Sequence, residues 1–199
     1  MRAVLALARH EARLLGCLAV WALRRGRPSG PSGPSGGGQV FGYARGQGPM
    51  MAGLAFVCVV ETLTMSVLLR HWPAVHAVML FLDAYTVVFV IALYASQVVR
   101  PHLLTAEAVR IRHSVHVDLR VPPAAIAAVR HEVRTTHPRT DGELDVPVGS
   151  RTSVTIELAT PVTHVTLFGR RREVRVVRFH VEEAERMVRS LSTLARSAT

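Results

Sequence analysis

The sequence contains no lysine and no asparagine; all 24 of its Lys-plus-Arg residues are arginine. Both missing residues use A-rich codons, so a GC-rich genome is the simplest source of the absence. The absence also has chemical force. Without lysine there is no phosphate-binding Walker A loop, no Schiff-base enzyme and no lysine general base. Cysteine is scarce too. Cys17 and Cys58 both sit in apolar helical stretches, which makes them packing residues and excludes a disulfide framework or a cysteine metal site. Aromatic residues are only 6% of the chain, too few around any basic stretch to build a stacking platform for nucleic acid. His131-Glu132 opens like a zinc-protease motif, but the second histidine would have to stand where Thr135 does. His71 with His76, and His113 with His116, are weak metal spacings. No nucleophile–base set can be assembled, so the expectation is a protein that is not an enzyme and carries no cofactor or metal.

Charge is missing from the middle of the chain, and that stretch organises the rest. Met50–Leu69 has Glu61 as its one formal charge, and Ala74–Val99 has only Asp83. About 20 apolar residues cross a bilayer core as a helix, and both runs reach that length. With Arg70-His71-Trp72-Pro73 between them, they read as a transmembrane hairpin within residues 40–100, with spans at 50–69 and 74–99.

Residues 1–25 read as an amphipathic helix lying in the membrane interface. Arg2, Arg9, Arg13 and Arg24 fall within about 60° of one another on a helical projection, opposite Val4, Leu7, Leu14, Leu15, Leu18 and Ala22. The competing reading is a helix packed on the protein's own soluble region. Residues 26–39 hold Pro-Ser-Gly three times and then two glycines, a tether reaching roughly 20 Å over about 14 residues. Val40–Pro49, with Phe41, Tyr43 and Arg45, would bring the chain to the bilayer surface.

Seven arginines precede the first span, Arg70 alone lies between the spans, and Arg100, Arg110 and Arg112 follow. The positive-inside rule then places both termini in the cytoplasm of a multi-pass plasma-membrane protein.

Residues 101–199 change to alternation. Val109, Ile111, Val115, Val117, Leu119 and Val121 interleave with Arg110, Arg112, His116, Asp118 and Arg120, the period-2 pattern of strands with one buried face. A turn is expected near His113-Ser114. Further strands are expected at 127–134, 143–148, 152–158, 162–168 and 173–180, followed by an amphipathic helix over 181–195. Six or seven antiparallel strands and a closing helix form a cytoplasmic α+β domain with the order of a pleckstrin-homology-like (PH-like) barrel.

Two spans, then Arg-Pro-His-Leu-Leu-Thr-Ala-Glu-Ala-Val-Arg-Ile-Arg (100–112), Val-Pro-Pro-Ala-Ala-Ile-Ala-Ala-Val (121–129) and Phe-Gly-Arg-Arg-Arg-Glu-Val-Arg-Val-Val-Arg-Phe-His-Val (168–181) before a last helix follow in order. In this the chain resembles actinobacterial two-span membrane proteins with a bacterial PH-like domain. The resemblance implies that fold and names no activity.

Two groups of residues carry candidate chemistry. Glu61 and Asp83 lie at one depth, each about 16 Å of helix rise from the turn. Carboxyls there cost around 2.5–3.5 kcal/mol and face protein or a cavity. They serve either a proton or ion site of a small transporter subunit, or hydrogen bonds between helices or protomers. Arg170, Arg171, Arg172, Arg175 and Arg178 form the densest basic cluster. Near a membrane such a cluster contacts anionic head groups at around 1 kcal/mol per residue; otherwise it is a solvated surface. The function expected is lipid or protein contact at the membrane through the PH-like domain. The alternative is the transporter subunit, and a homo-oligomer or a partner membrane protein is compatible with either.

Overall fold

In the computed structural model, residues 2–24, 38–138, 140–166 and 169–197 are described, with side chains from residue 5 onward. Most of the Pro-Ser-Gly tether lies outside these residues. Helix α1 covers Arg2–Leu23, and β1 covers Gln39–Phe41. The apolar runs form α2 (Gly48–Leu68) and α3 (Pro73–Val99), each started by a proline in its first turn, where a missing N–H costs nothing. Both are long and apolar enough to cross a membrane. No residue of the apolar window of α2 is buried. Phe56, Val67 and Phe81 stand 69%, 70% and 70% exposed, an outward apolar surface that water does not tolerate over such an area.

Seven strands follow: β2 (His102–Leu104), β3 (Val109–His113), β4 (Val117–Val121), β5 (Ile126–Arg134), β6 (Glu143–Val146), β7 (Thr152–Val165) and β8 (Arg171–Phe179). Helix α4 (Ala184–Ser197) closes the described chain. The strands form two four-stranded sheets, ordered β1-β2-β3-β4 and β5-β7-β8-β6, antiparallel except for the parallel β6–β8 pair. Both sheets and α4 bury a common core that includes Ile111, Val121, Ile156, Phe179, Met187 and Leu191.

Three expectations change here. The sheets do not close into a barrel. The chain passes from β4 to β5 through Pro122-Pro123 and a 3-10 turn at Pro123–Ala125, and prolines have no N–H to carry a ladder across that corner. The strands expected at 152–158 and 162–168 are one strand, β7. It is interrupted in register between Glu157 and Val162, where Pro161 is accommodated by a bulge.

The third change concerns residues 39–47. Besides leading into α2, they join the β region. Gln39↔Leu104 and Phe41↔His102 pair across the two ends of the hairpin, and Phe41 and Tyr43 are buried. The hairpin is therefore an excursion out of one sheet edge and back to it.

Candidate functional site: a basic cleft at the foot of the hairpin

The last third of α3 leaves the exposed zone. Val90, Ala92, Ala95, Ser96, Gln97 and Val99 are buried, and Ser96 Oγ meets Ser114 Oγ at 2.6 Å. Ser114 takes a positive φ of 49° in the β3–β4 turn and its N–H donates to Tyr43 Oη at 3.0 Å. Tyr43 is thus the peg between the turn and the sheet. Burial pushes its hydroxyl up to about 12, so it remains neutral and available as an acceptor. Its ring lies against His102 at 4.8 Å and His113 at 5.6 Å, and His116 continues the series at 5.1 Å from His113.

The hydrogen bonds assign the tautomer of His102. Nε2–H donates to the His180 carbonyl at 3.0 Å, and Nδ1 accepts the Arg112 N–H at 3.1 Å. Burial lowers His102 and His113 to about 4, and burial with nearby His10 and Arg100 lowers His116. These rings are neutral packing groups at pH 7. Among the described residues, no three His, Cys, Asp or Glu converge as metal ligands.

Helix α1 packs along α3 and the same turn. Leu14 is buried with Ala92 and Val115, Tyr85 Oη donates to Glu11 Oε1 at 2.8 Å, and Trp21 meets Tyr94 edge-on at 6.3 Å. Leu14 and Leu18 therefore cover protein, while Leu5, Leu15 and Leu23 remain exposed. The helix has one side on the molecule and another apolar side free.

Between α1, the end of α3, the β3–β4 turn and the end of β7 lies a cleft of about 680 Å³. Arg13, Arg100, His116, Asp118 and Thr166 supply its polar wall, and Gly16, Cys17, Val20, Val99, Val115 and Val165 its remainder. Asp118 binds Arg110 in a fork, Nε–Oδ1 at 2.7 Å and Nη2–Oδ2 at 2.8 Å, and Arg100 Nη2 at 3.0 Å, with Arg112 Nε at 3.9 Å. Burial pushes the Asp118 carboxyl up, but the hydrogen bonds and charge of Arg110 with Arg112 and Arg100 outweigh it and hold the group below its usual range. Arg13 and Arg100 line the cleft against the single Asp118 carboxylate, which Arg110 and Arg112 also contact from outside the lining, so the cleft carries surplus positive charge. Burial raises the Cys17 thiol despite Arg100, the opposite of what a nucleophilic thiol requires.

The arginine cluster divides. Arg170, Arg171, Arg172 and Arg175 are exposed. The first three sit at the β7–β8 tip, where Arg170 N–H donates to Thr166 Oγ1 at 3.2 Å, beside the cleft. Arg178 is not a surface contact. Its guanidinium forks onto Glu143 at 2.6 and 2.9 Å and reaches Asp145 at 3.3 Å, because parallel β6 lays those acids beside β8.

The two hairpin acids are also separated. Asp83 is half-buried and keeps helical step with His76, Val87 and Val90 on the α2-facing side of α3, whereas Glu61 is exposed. Ser66 Oγ meets His76 Nε2 at 2.8 Å across the hairpin. That contact sets the register and leaves Glu61 and Asp83 within about one helical turn of the same depth. Among the described residues, neither carboxyl has a hydrogen-bond or ion-pair partner.

Sequence reasoning misses the Asp118 cluster. The alternation shows Arg110, Arg112 and Asp118 on polar faces, and a three-residue turn at 114–116 would have set Arg112 opposite Asp118, as the register does. No protein family, curated protein or solved structure compared with this chain matches it.

Proposed function

We propose that the chain is a non-enzymatic two-span membrane protein whose β region lies on the cytoplasmic face and holds anionic lipid head groups in the basic cleft. Two four-stranded sheets that share one core with a C-terminal helix support a PH-like relationship, with the sheets open and the parallel β6–β8 pair departing from the expected antiparallel order. The observation that carries the reading is the position of the cleft. Helix α3 has 27 residues, about 40 Å of rise, against a hydrocarbon core of about 30 Å. Its final turns therefore project past the core, and Arg100 stands at head-group depth with Arg13 across the cleft. The excess of arginine before and after the spans supports the cytoplasmic orientation. The exposed tip arginines Arg170, Arg171 and Arg172 extend the same basic surface. A proton- or ion-transporting subunit has less support, since Glu61 and Asp83 sit on different faces and one hairpin offers no polar path between them.

The test uses the full chain in a zwitterionic detergent, titrated with short-chain phosphatidylglycerol or phosphatidylcholine and followed by native mass spectrometry. Phosphatidylglycerol should bind more tightly, and added salt should weaken it. Arg13→Gln with Arg100→Gln should weaken it about tenfold or more, at around 1 kcal/mol per arginine. Gly16→Leu should also weaken it without changing charge, since a side chain there meets open space at the cleft wall. Equal binding of the two lipids by the unmutated chain overturns the reading.

A further inference from the structure

Helix α2 carries two heptad seams side by side. Met51, Ala55, Cys58, Thr62 and Met65 are half-buried on the α3 side. One residue earlier in each step, Met50, Leu54, Val57, Glu61, Thr64 and Leu68 repeat the same four-three spacing, and all are exposed. Such spacing is the pattern by which one helix packs along another at a shallow angle. Gly53 borders the second seam, and a Cβ there would meet nothing within 4 Å, so a neighbouring helix can approach closely. Thr64 Oγ1 already donates to the Val60 carbonyl at 2.9 Å. Glu61 is left as the seam's one polar group without a partner among the described residues, in the middle of the side of α2 turned away from α3.

We propose that the Glu61 seam is a self-association surface, occupied by α2 of a second copy of this chain with the two Glu61 carboxyls hydrogen-bonded to each other. The chemistry selects the occupant. In its acid form a carboxyl both donates and accepts, so it is complementary to itself. Two copies inserted in the same orientation are related by a two-fold axis along the membrane normal. That axis brings each Glu61 to its counterpart at one depth and sets Leu54, Val57 and Leu68 against their own copies. The remaining exposed faces of α2, around Phe56 and Leu63, have no polar group to satisfy. The inference rests only on α2 crossing the bilayer and is independent of the lipid cleft.

The full chain, reconstituted in vesicles at several protein-to-lipid ratios, is read by energy transfer between differently labelled copies. The unmutated chain should show transfer that saturates with protein density. Glu61→Leu should weaken association about five- to tenfold, and Glu61→Gln, which keeps a donor and an acceptor, should restore it to within about twofold. In a background of Cys17→Ala and Cys58→Ala, Val57→Cys and Thr64→Cys should form intermolecular disulfides on oxidation, and Leu63→Cys should not. Absent transfer, cross-linking through Leu63→Cys, or association unmoved by Glu61→Leu each overturns the proposal. A chain that associates only when another membrane protein is added does so too. Alkaline carbonate extraction of the same samples reports insertion separately, so a failure to span is told apart from a failure to pair.

Discussion

In the hairpin, Phe56, Leu63, Val67 and Phe81 point outward; in the β region, Val109, Ile111, Val154, Ile156, Val177 and Phe179 are sealed from solvent. Both regions draw on the same apolar residue types. What differs is spacing. An unbroken run clothes a helix on every side and requires apolar surroundings. Alternation gives each strand one apolar face, and two sheets with a helix can cover such faces themselves. The acids follow the same division. Asp118, Glu143 and Asp145 are neutralised by arginine inside the β region, while Glu61 in the hairpin has no partner among the described residues of its own chain. One region completes its own environment and the other borrows it.

That contrast is broken most drastically by cutting the two regions apart. Residues 101–197 expressed alone lack β1 and the Tyr43 peg, and should aggregate. Joining residues 38–45 to residues 100–197 through a short flexible linker leaves out α1, α2 and α3 but keeps the β1–β2 pair, and should give a more soluble, β-rich product by circular dichroism. Equal solubility of the two products would show that β1 does not complete the fold.

A smaller and more specific effect comes from matched phenylalanines. Phe179→Ala empties a fully buried site packed edge-on against His102, and should cost about 3–5 kcal/mol of β-region stability in denaturant unfolding. Phe81→Ala removes a side chain 70% exposed and should cost less than about 1 kcal/mol, since it leaves no cavity in the protein. Similar costs at both sites would undo the distinction.

The smallest effect sharpens the comparison through pH. His102 and His113 are held near 4 in the folded β region by burial, against about 6.5 in an unfolded chain. As pH falls below about 6.5 the unfolded state takes up protons that the folded state refuses, so stability declines toward pH 4. Each histidine contributes up to about 3 kcal/mol at the bottom of that window. Asp118 and Glu143, held low with arginine partners, add to the slope only near and below about pH 4. The unfolding midpoint of the β region should therefore drop between about pH 7 and 5, and His113→Phe should flatten the decline. A midpoint constant over that range would mean that these rings take up protons as readily in the folded state as in the unfolded one.

The hairpin is legible in the sequence almost to the residue, with spans read at 50–69 and 74–99 against helices at Gly48–Leu68 and Pro73–Val99. Continuous apolarity is a local property and needs no partner to be recognised. The alternating strands are readable for the same reason. β1 is not, because three residues beside a Gly-rich tether form a strand only when β2 arrives from the far side of the hairpin. Arg178 is misread as a surface group because its acids come from a polar loop region whose short strand pairs in parallel with β8. The cleft is hidden more deeply. Arg13, Arg100 and Asp118 come from three segments, and which faces they share depends on how α1 and the β3–β4 turn dock on α3.

The β1–β2 pair also bears on how the protein is made. During synthesis β1 leaves the ribosome long before its partner and has nothing to pair with until the roughly 60 residues between Phe41 and His102 have followed. Closing a flexible loop of that length carries an entropic cost of roughly 4 kcal/mol. Under the membrane reading proposed above, the inserted helical hairpin is not flexible and would return the chain to the face from which it departed. On that reading, insertion of α2 and α3 would perform the loop closure that the sheet needs, and the β region is expected to complete its edge only after α2 and α3 are in place.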